Sequence, residues 1–279
     1  MVSMNFPNFI LLIIFIVMMK PALDRFLINA YRVKLMRTLE KKRGSRVITL
    51  VHRQESVSLL GLPLIEYINI EDAQSILTAI RLTDEDVPID ILLHTPSDFS
   101  MPAEQIARAL KRHKAKVTVF VPHYAMSGGT AIALAADLLV MNSDAVLGAM
   151  EPVVNGYPTS SYKHVLKSKA LAKIADETWI YADLAEKQLA QARAFVLELC
   201  KETVAAEDLD KLAEGLTSGR WTHDYPISVK ELKDLGLSIS TELPIEIYQV
   251  MNLYPQPRGA RPSVEFIAVP YVGSAMTKV

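Results

Sequence analysis

The stretch "KVTVFVPHYAMSGGTAIALAAD", residues 116–137, decides how the chain is read. Its first half is rich in β-branched and aromatic residues and its second half in alanine, and Ser127 stands between them directly before Gly128 and Gly129. A strand over 116–124 that runs almost at once into a helix leaves only a tight turn for the serine. The same alternation repeats on either side. "VITLVH" (47–52), "VPIDILLHT" (87–95) and "LLVMN" (138–142) read as strands, whereas "EDAQSILTAI" (71–80) and "MPAEQIARALKRH" (101–113) carry apolar residues at helical spacing. Strands and helices in this order predict right-handed crossovers and a largely parallel sheet, with ligand sites at the carboxyl ends of the strands. Both "HTPSD" (94–98) and "HYAMSGG" (123–129) fall at such ends. Further on, "TWIYADLAEKQLAQARAFVLELC" (178–200) reads as a long amphipathic helix and "SVKELKDLGL" (228–237) as a shorter one, before a tail rich in Pro, Arg and Gly.

Two readings of Ser127 follow from its position. Its hydroxyl lies near a helix N-terminus, where unpaired backbone N–H groups can hold an oxyanion. A small residue at such a turn also permits close packing, and serine caps helices. The G-x-S-x-G pattern of nucleophile elbows is absent. Composition excludes other classes. A net charge of -1 over 279 residues, with no basic stripe interleaved with aromatics, argues against a nucleic-acid partner. One cysteine, Cys200, excludes an internal disulfide framework and a multi-cysteine zinc site, and no spacing suggests another metal or a cofactor.

The N-terminus has its own pattern. No charge precedes Lys20, and "FPNFILLIIFIVMM" (6–19) is apolar almost throughout, which just reaches the roughly 20 residues that a membrane span needs. No basic start or small-residue cleavage site marks a signal peptide. The expectation is a transmembrane anchor over 1–20, then a basic juxtamembrane helix and linker over 21–45 that meets membrane lipid. A globular domain over 46–255 and an irregular tail over 256–279 complete the chain. The nine Lys and Arg residues between Lys20 and Arg46 predict a single-pass protein with its C-terminal body in the cytoplasm.

Longer segments carry a resemblance. "LEKKRGSRVITLVHRQE", "VPIDILLHTP", "AEQIARALKRHKAKVTVFVPHYAMSGGTAIALAAD", "DETWIYADLAEK" and "LTSGRWTHDYPISVKELKDLGL" are similar to the serine dehydrogenase proteinase family. That family comprises membrane-anchored members of the Clp-protease/crotonase superfamily related to signal peptide peptidase A. The resemblance implies an α/β Clp-protease/crotonase-like fold preceded by a transmembrane helix, and a homo-oligomeric serine peptidase acting on protein or peptide substrates. It makes Ser127 the nucleophile and puts the amide of Gly128 in the oxyanion hole. The Clp-type histidine is missing: where it would stand the chain reads "GAMEPVV", with Glu151 nearest. A lysine base of the signal-peptide-peptidase type remains, with Lys169 and Lys187 as candidates, and such a base must be desolvated to be neutral near pH 7. For Lys187 a surface pair with Asp183, one turn earlier, is the alternative.

One departure from the family bears on activity. Where relatives read "HTPGG" this chain has Ser97 and Asp98 at the oxyanion-hole glycines. Both keep an N–H, but they lose the conformational freedom of glycine, and Asp98 brings a carboxylate close to a developing oxyanion. Reduced activity follows, and the alternative function is an inactive homologue serving as a membrane scaffold or binding subunit. Acyl-CoA chemistry, which crotonases perform, gives no reason for a serine at 127. Ser97→Gly combined with Asp98→Gly is expected to raise peptidase turnover about 100-fold, the worth of roughly 3 kcal/mol of oxyanion stabilisation. Adding Ser127→Ala to this pair should abolish the gain, and steady-state turnover of a fluorogenic peptide measures both.

Overall fold

Continuous apolar runs fold here as strands buried on both faces. The computed structural model describes residues 6–52, 58–59, 62–63, 68–96 and 101–254. Its main sheet contains β1 (Arg46–Val51), β4 (Ile89–His94), β5 (Val117–Val121), β7 (Leu138–Met141) and β12 (Ile239–Ser240), in the order β1-β4-β5-β7-β12. All four pairings are parallel. Every residue of β4 and β5 is buried, as expected for central strands covered by helices on both faces. Between β1 and β4 lie a short hairpin, β2 (Ser58–Leu59) with β3 (Leu62–Pro63), and α2 (Ile70–Arg81). The predicted parallel α/β sheet is therefore present.

Helix α3 (Met101–Lys111) links β4 to β5, and the chain then forms β6 (Tyr124–Ala125) and α4 (Gly128–Leu134) before β7. A second small sheet sets β6 parallel to β8 (Val146–Leu147), which pairs antiparallel with β11 (Ile227–Ser228). The hairpin β9 (Val153–Val154) with β10 (Tyr157–Pro158) leads into α5 (Thr159–Ser168), which packs on the long α6 (Asp176–Cys200). Then come α7 (Ala206–Thr217), α8 (Val229–Asp234) and α9 (Ile245–Met251). The helix expected over 228–237 is shorter than its pattern. Ser228 and Glu231 form a capping box at its start, and Gly236, at φ 95°, terminates it. The tail lies outside the described residues from Pro255 onward.

The N-terminal expectation is changed most. One helix, α1, runs from Phe6 to Arg43, and only Gly44 (φ 63°) and Ser45 separate it from β1, so the segment before β1 is not an extended linker. Its last turns are docked: Leu39 is buried against Val47, Leu92, Phe120 and α9, and Arg32 donates to the Leu253 carbonyl at 3.0 Å. Arg43 reaches the carboxylate of Asp90, which is 2% exposed in β4, and Ser45 Oγ donates to the same carboxylate at 2.6 Å. Among the described residues no helix is long and apolar enough to cross a membrane.

Removing one partner of a buried pair leaves the other charge uncompensated. Arg43→Ala should lower the unfolding free energy by about 3 kcal/mol, whereas Arg43→Met with Asp90→Val should recover most of that loss. Urea denaturation followed by circular dichroism distinguishes the two.

Candidate active site

The serine turn is built where two sheets meet. Leaving β4, Thr95 pairs with Ala125: the Thr95 N–H donates to the Tyr124 carbonyl at 3.3 Å, and the Met126 N–H donates to the Thr95 carbonyl at 3.0 Å. On the other side of β6, the Gly148 N–H donates to the Ala125 carbonyl at 3.3 Å. The Thr130 hydroxyl lies 3.0 Å from the Ala125 carbonyl and 2.9 Å from that of Gly148, and it accepts the Gly148 N–H at 3.1 Å. Gly148 is required for a steric reason, since a Cβ there would come within 2.9 Å of the Ser127 nitrogen. Both ends of the turn are thus fixed before Ser127 itself is considered.

Ser127 takes φ 44° and ψ −99°, a region that non-glycine residues seldom occupy. Its side chain makes no capping hydrogen bond to α4, so it is not there as a cap. The residue is fully buried, and among the described residues its Oγ has no hydrogen-bond partner. An unsatisfied buried hydroxyl costs about 1–3 kcal/mol and a strained backbone about as much again. Neither cost brings a structural return. The packing reading would be met equally by glycine or alanine, and the hydroxyl is what distinguishes serine.

The other predicted residues fall as follows. Gly128, buried, is the first residue of α4, whose opening N–H groups have no acceptor within the helix. Ser97 and Asp98 lie outside the described residues. Lys169 ends α5 on the surface, at a cleft of about 340 Å³ lined also by Asn155, Tyr157, Tyr162 and Tyr181. Lys187 is on the outside of α6, with its Nζ 2.6 Å from Asp183 Oδ2 in the i, i+4 pair. Neither lysine bonds the serine hydroxyl, and neither is desolvated as a lysine base must be. Glu151, at the position of the missing histidine, is engaged at the start of α5: it accepts the Ser160 N–H at 2.6 Å and the Thr159 hydroxyl at 3.1 Å. Burial pushes the thiol of Cys200 up to about 12, which leaves it protonated and no competitor as a nucleophile. Among the described residues no cluster of three or more His, Cys, Asp or Glu is placed to hold a metal ion.

Sequence reasoning passed over His52, at the end of β1. Its Nδ1 lies 3.1 Å from Thr95 Oγ1 and its Nε2 lies 3.3 Å from Asp72 Oδ2. A histidine closing an apolar strand was the only signal.

The site is thus a strained, buried serine between strand and helix at the carboxyl edge of a parallel α/β sheet. The chain belongs to the ClpP-like SDH-type serine proteinase family, whose profile matches residues 1–278. Two proteins of Methanocaldococcus jannaschii are similar along nearly the whole chain. MJ1495 is 46% identical over 263 residues, covering 94% of this chain and 90% of its own. MJ0137 is 46% identical over 259 residues, covering 93% and 91%. Among solved structures, ClpP1 from Listeria monocytogenes aligns with a TM-score of 0.47 at 16% identity, over 75% of this chain and 99% of that one. The 1510-N membrane-bound stomatin-specific protease aligns with a TM-score of 0.45 at 20% identity, over 68% and 82%.

Because strain and an unpaired hydroxyl meet at one residue, Ser127→Gly should stabilise the fold by about 1 kcal/mol even as it removes the hydroxyl. A rise in the thermal midpoint measures this, and a fall would show that the hydroxyl contributes to packing.

Proposed function

We propose that this chain is a serine peptidase in which Ser127 attacks the scissile carbonyl, the Gly128 amide receives the developing oxyanion, and Lys169 takes the serine proton. The observation that carries the reading is the strained turn holding a buried hydroxyl with no hydrogen-bond partner among the described residues. Such a group is poorly stabilised in the resting fold and gains a partner only when a substrate or base arrives, which favours the transition state over the ground state. Lys169 is preferred to Lys187 because the latter is already engaged by Asp183 on the surface. For Lys169 to act, it has to leave water and approach the serine, so that neutral amine is available near pH 7. Ser97 and Asp98 keep turnover below that of a glycine-lined hole.

The reading extends to location and assembly. The front half of α1 presents Phe15, Met18, Leu23, Phe26 and Leu27 to the outside, interleaved with Lys20 and Arg25. That mixture suits association with an anionic bilayer, with the body on the cytoplasmic side. Exposed Leu171, Trp179, Ile180 and Leu184 around α6 form an apolar surface that a second copy would cover.

A serine-directed fluorophosphonate should label the wild type and not Ser127→Ala. Lys169→Ala should slow labelling and peptide turnover 100-fold or more, while Lys187→Ala stays within about twofold. A folded wild type that is never labelled would replace the peptidase with the scaffold reading. Native mass spectrometry of the full chain in detergent should show an oligomer, and a monomer at micromolar concentration would remove the assembly.

A further inference from the structure

We propose that His52, anchored by Asp72, is a positioning residue for the serine turn and acts on it through Thr95. Three segments distant in sequence meet here: the end of β1, the first turn of α2 and the residue that follows β4. His52 is buried, with its backbone N–H donated to the His94 carbonyl at 2.8 Å. Asp72 is itself held in place, since its Oδ2 accepts the Asn69 N–H at 2.9 Å within the capping box of α2. Nε2 faces the Asp72 carboxylate, which can only accept, and Nδ1 pairs with the Thr95 hydroxyl, which can either donate or accept.

The consequence for Thr95 is a fixed side-chain rotation. With Oγ1 held by the ring, Cγ2 lies against the first turn of α4, so close that a Cβ added at Gly129 would be 2.6 Å from it. The main chain of the same residue is bonded to Tyr124 and Met126, immediately before the serine. Thr95 therefore touches the turn on both sides of Ser127, through its backbone before it and its methyl after it. Fixing one hydroxyl fixes both contacts. The imidazole adds the rigidity of the α2 cap to the hydrogen bonds that already hold Ser127 at its positive φ.

The inference rests on the peptidase reading for its chemical consequence but not for its structural one, and the test separates them. Thr95→Val keeps the shape and the methyl contact and removes the hydroxyl, whereas Thr95→Ser keeps the hydroxyl. Amide hydrogen exchange over residues 122–134, read by mass spectrometry on the full chain, should be about tenfold faster in Thr95→Val and in His52→Asn. In Thr95→Ser, which keeps the hydroxyl and the main-chain contact but loses the methyl, it should rise by clearly less than in Thr95→Val. Fluorophosphonate labelling of Ser127 should slow about tenfold in the same two variants and less in Thr95→Ser. Wild-type exchange in a folded Thr95→Val protein overturns the positioning role, whatever the labelling shows. If exchange accelerates as expected while even the wild type resists labelling, the positioning role stands and the nucleophile assignment falls.

Discussion

A single carboxylate buried in the central sheet constrains much of this fold. Asp90 lies in β4, between β1 and β5, where no water can solvate it. A charge there is tolerable only with a counter-charge and hydrogen bonds at hand, and both come from the junction of α1 with β1, through Arg43 and Ser45. The end of α1 must therefore sit on the sheet, and the guanidinium that reaches Asp90 also lies 4.9 Å from the centre of the Phe120 ring. From that anchorage the helix runs back over α9, with Lys42 bonded to Glu246 and Arg32 lying over Tyr254. The last turns of the N-terminal helix are thus part of the domain core.

The same sheet makes the serine turn possible. Five parallel strands send their carboxyl ends to one edge, and the chain leaving β5 must enter α4 without disturbing the packed layer beneath. Strain at one residue persists only where neighbours over-determine the backbone. Here they do so through hydrogen bonds from Thr95, Thr130 and Gly148, so that relaxation at Ser127 would break several contacts at once. Destabilisation is thereby concentrated on one hydroxyl.

What could be read from the sequence is what depends on local pattern. The strands over 89–94 and 117–121 are apolar without interruption, and α2 starts with the acidic turn that its N-terminus favours. Position alone suggested a serine between strand and helix, and the partner of Lys187 was visible at i, i+4. Long-range groupings were not. Nothing local links Asp90 to Arg43, and the contacts of His52 with Asp72 and Thr95 span segments whose proximity only the folded sheet creates. Glu151 stood near the missing histidine in sequence, yet its carboxylate serves the start of α5, because Thr159 and Ser160 follow a hairpin whose return no periodicity announced. Helices α5 and α9 are short, and each begins directly after a proline, which obscured their period, whereas α7, as long as α2, has a helical pattern that was legible and not read.

The unbroken course of α1 has a mechanical consequence. Its last turns are clamped to the sheet, while its exposed apolar residues run from Phe15 to Tyr31, about 24 Å of helix at 1.5 Å per residue. A helix hinged by a loop would let the body tumble; one clamped at its base transmits torque. Any surface that grips the front of α1 therefore sets the bearing of the whole sheet, and with it that of the turn holding Ser127. Length acts as a ruler: cutting or adding a few residues in the exposed part would both shift the serine's height and rotate it about the helix axis, by about 100° per residue. The spacing between the first apolar turns and Arg43 is in this sense an angular specification, and it should tolerate substitution far better than insertion.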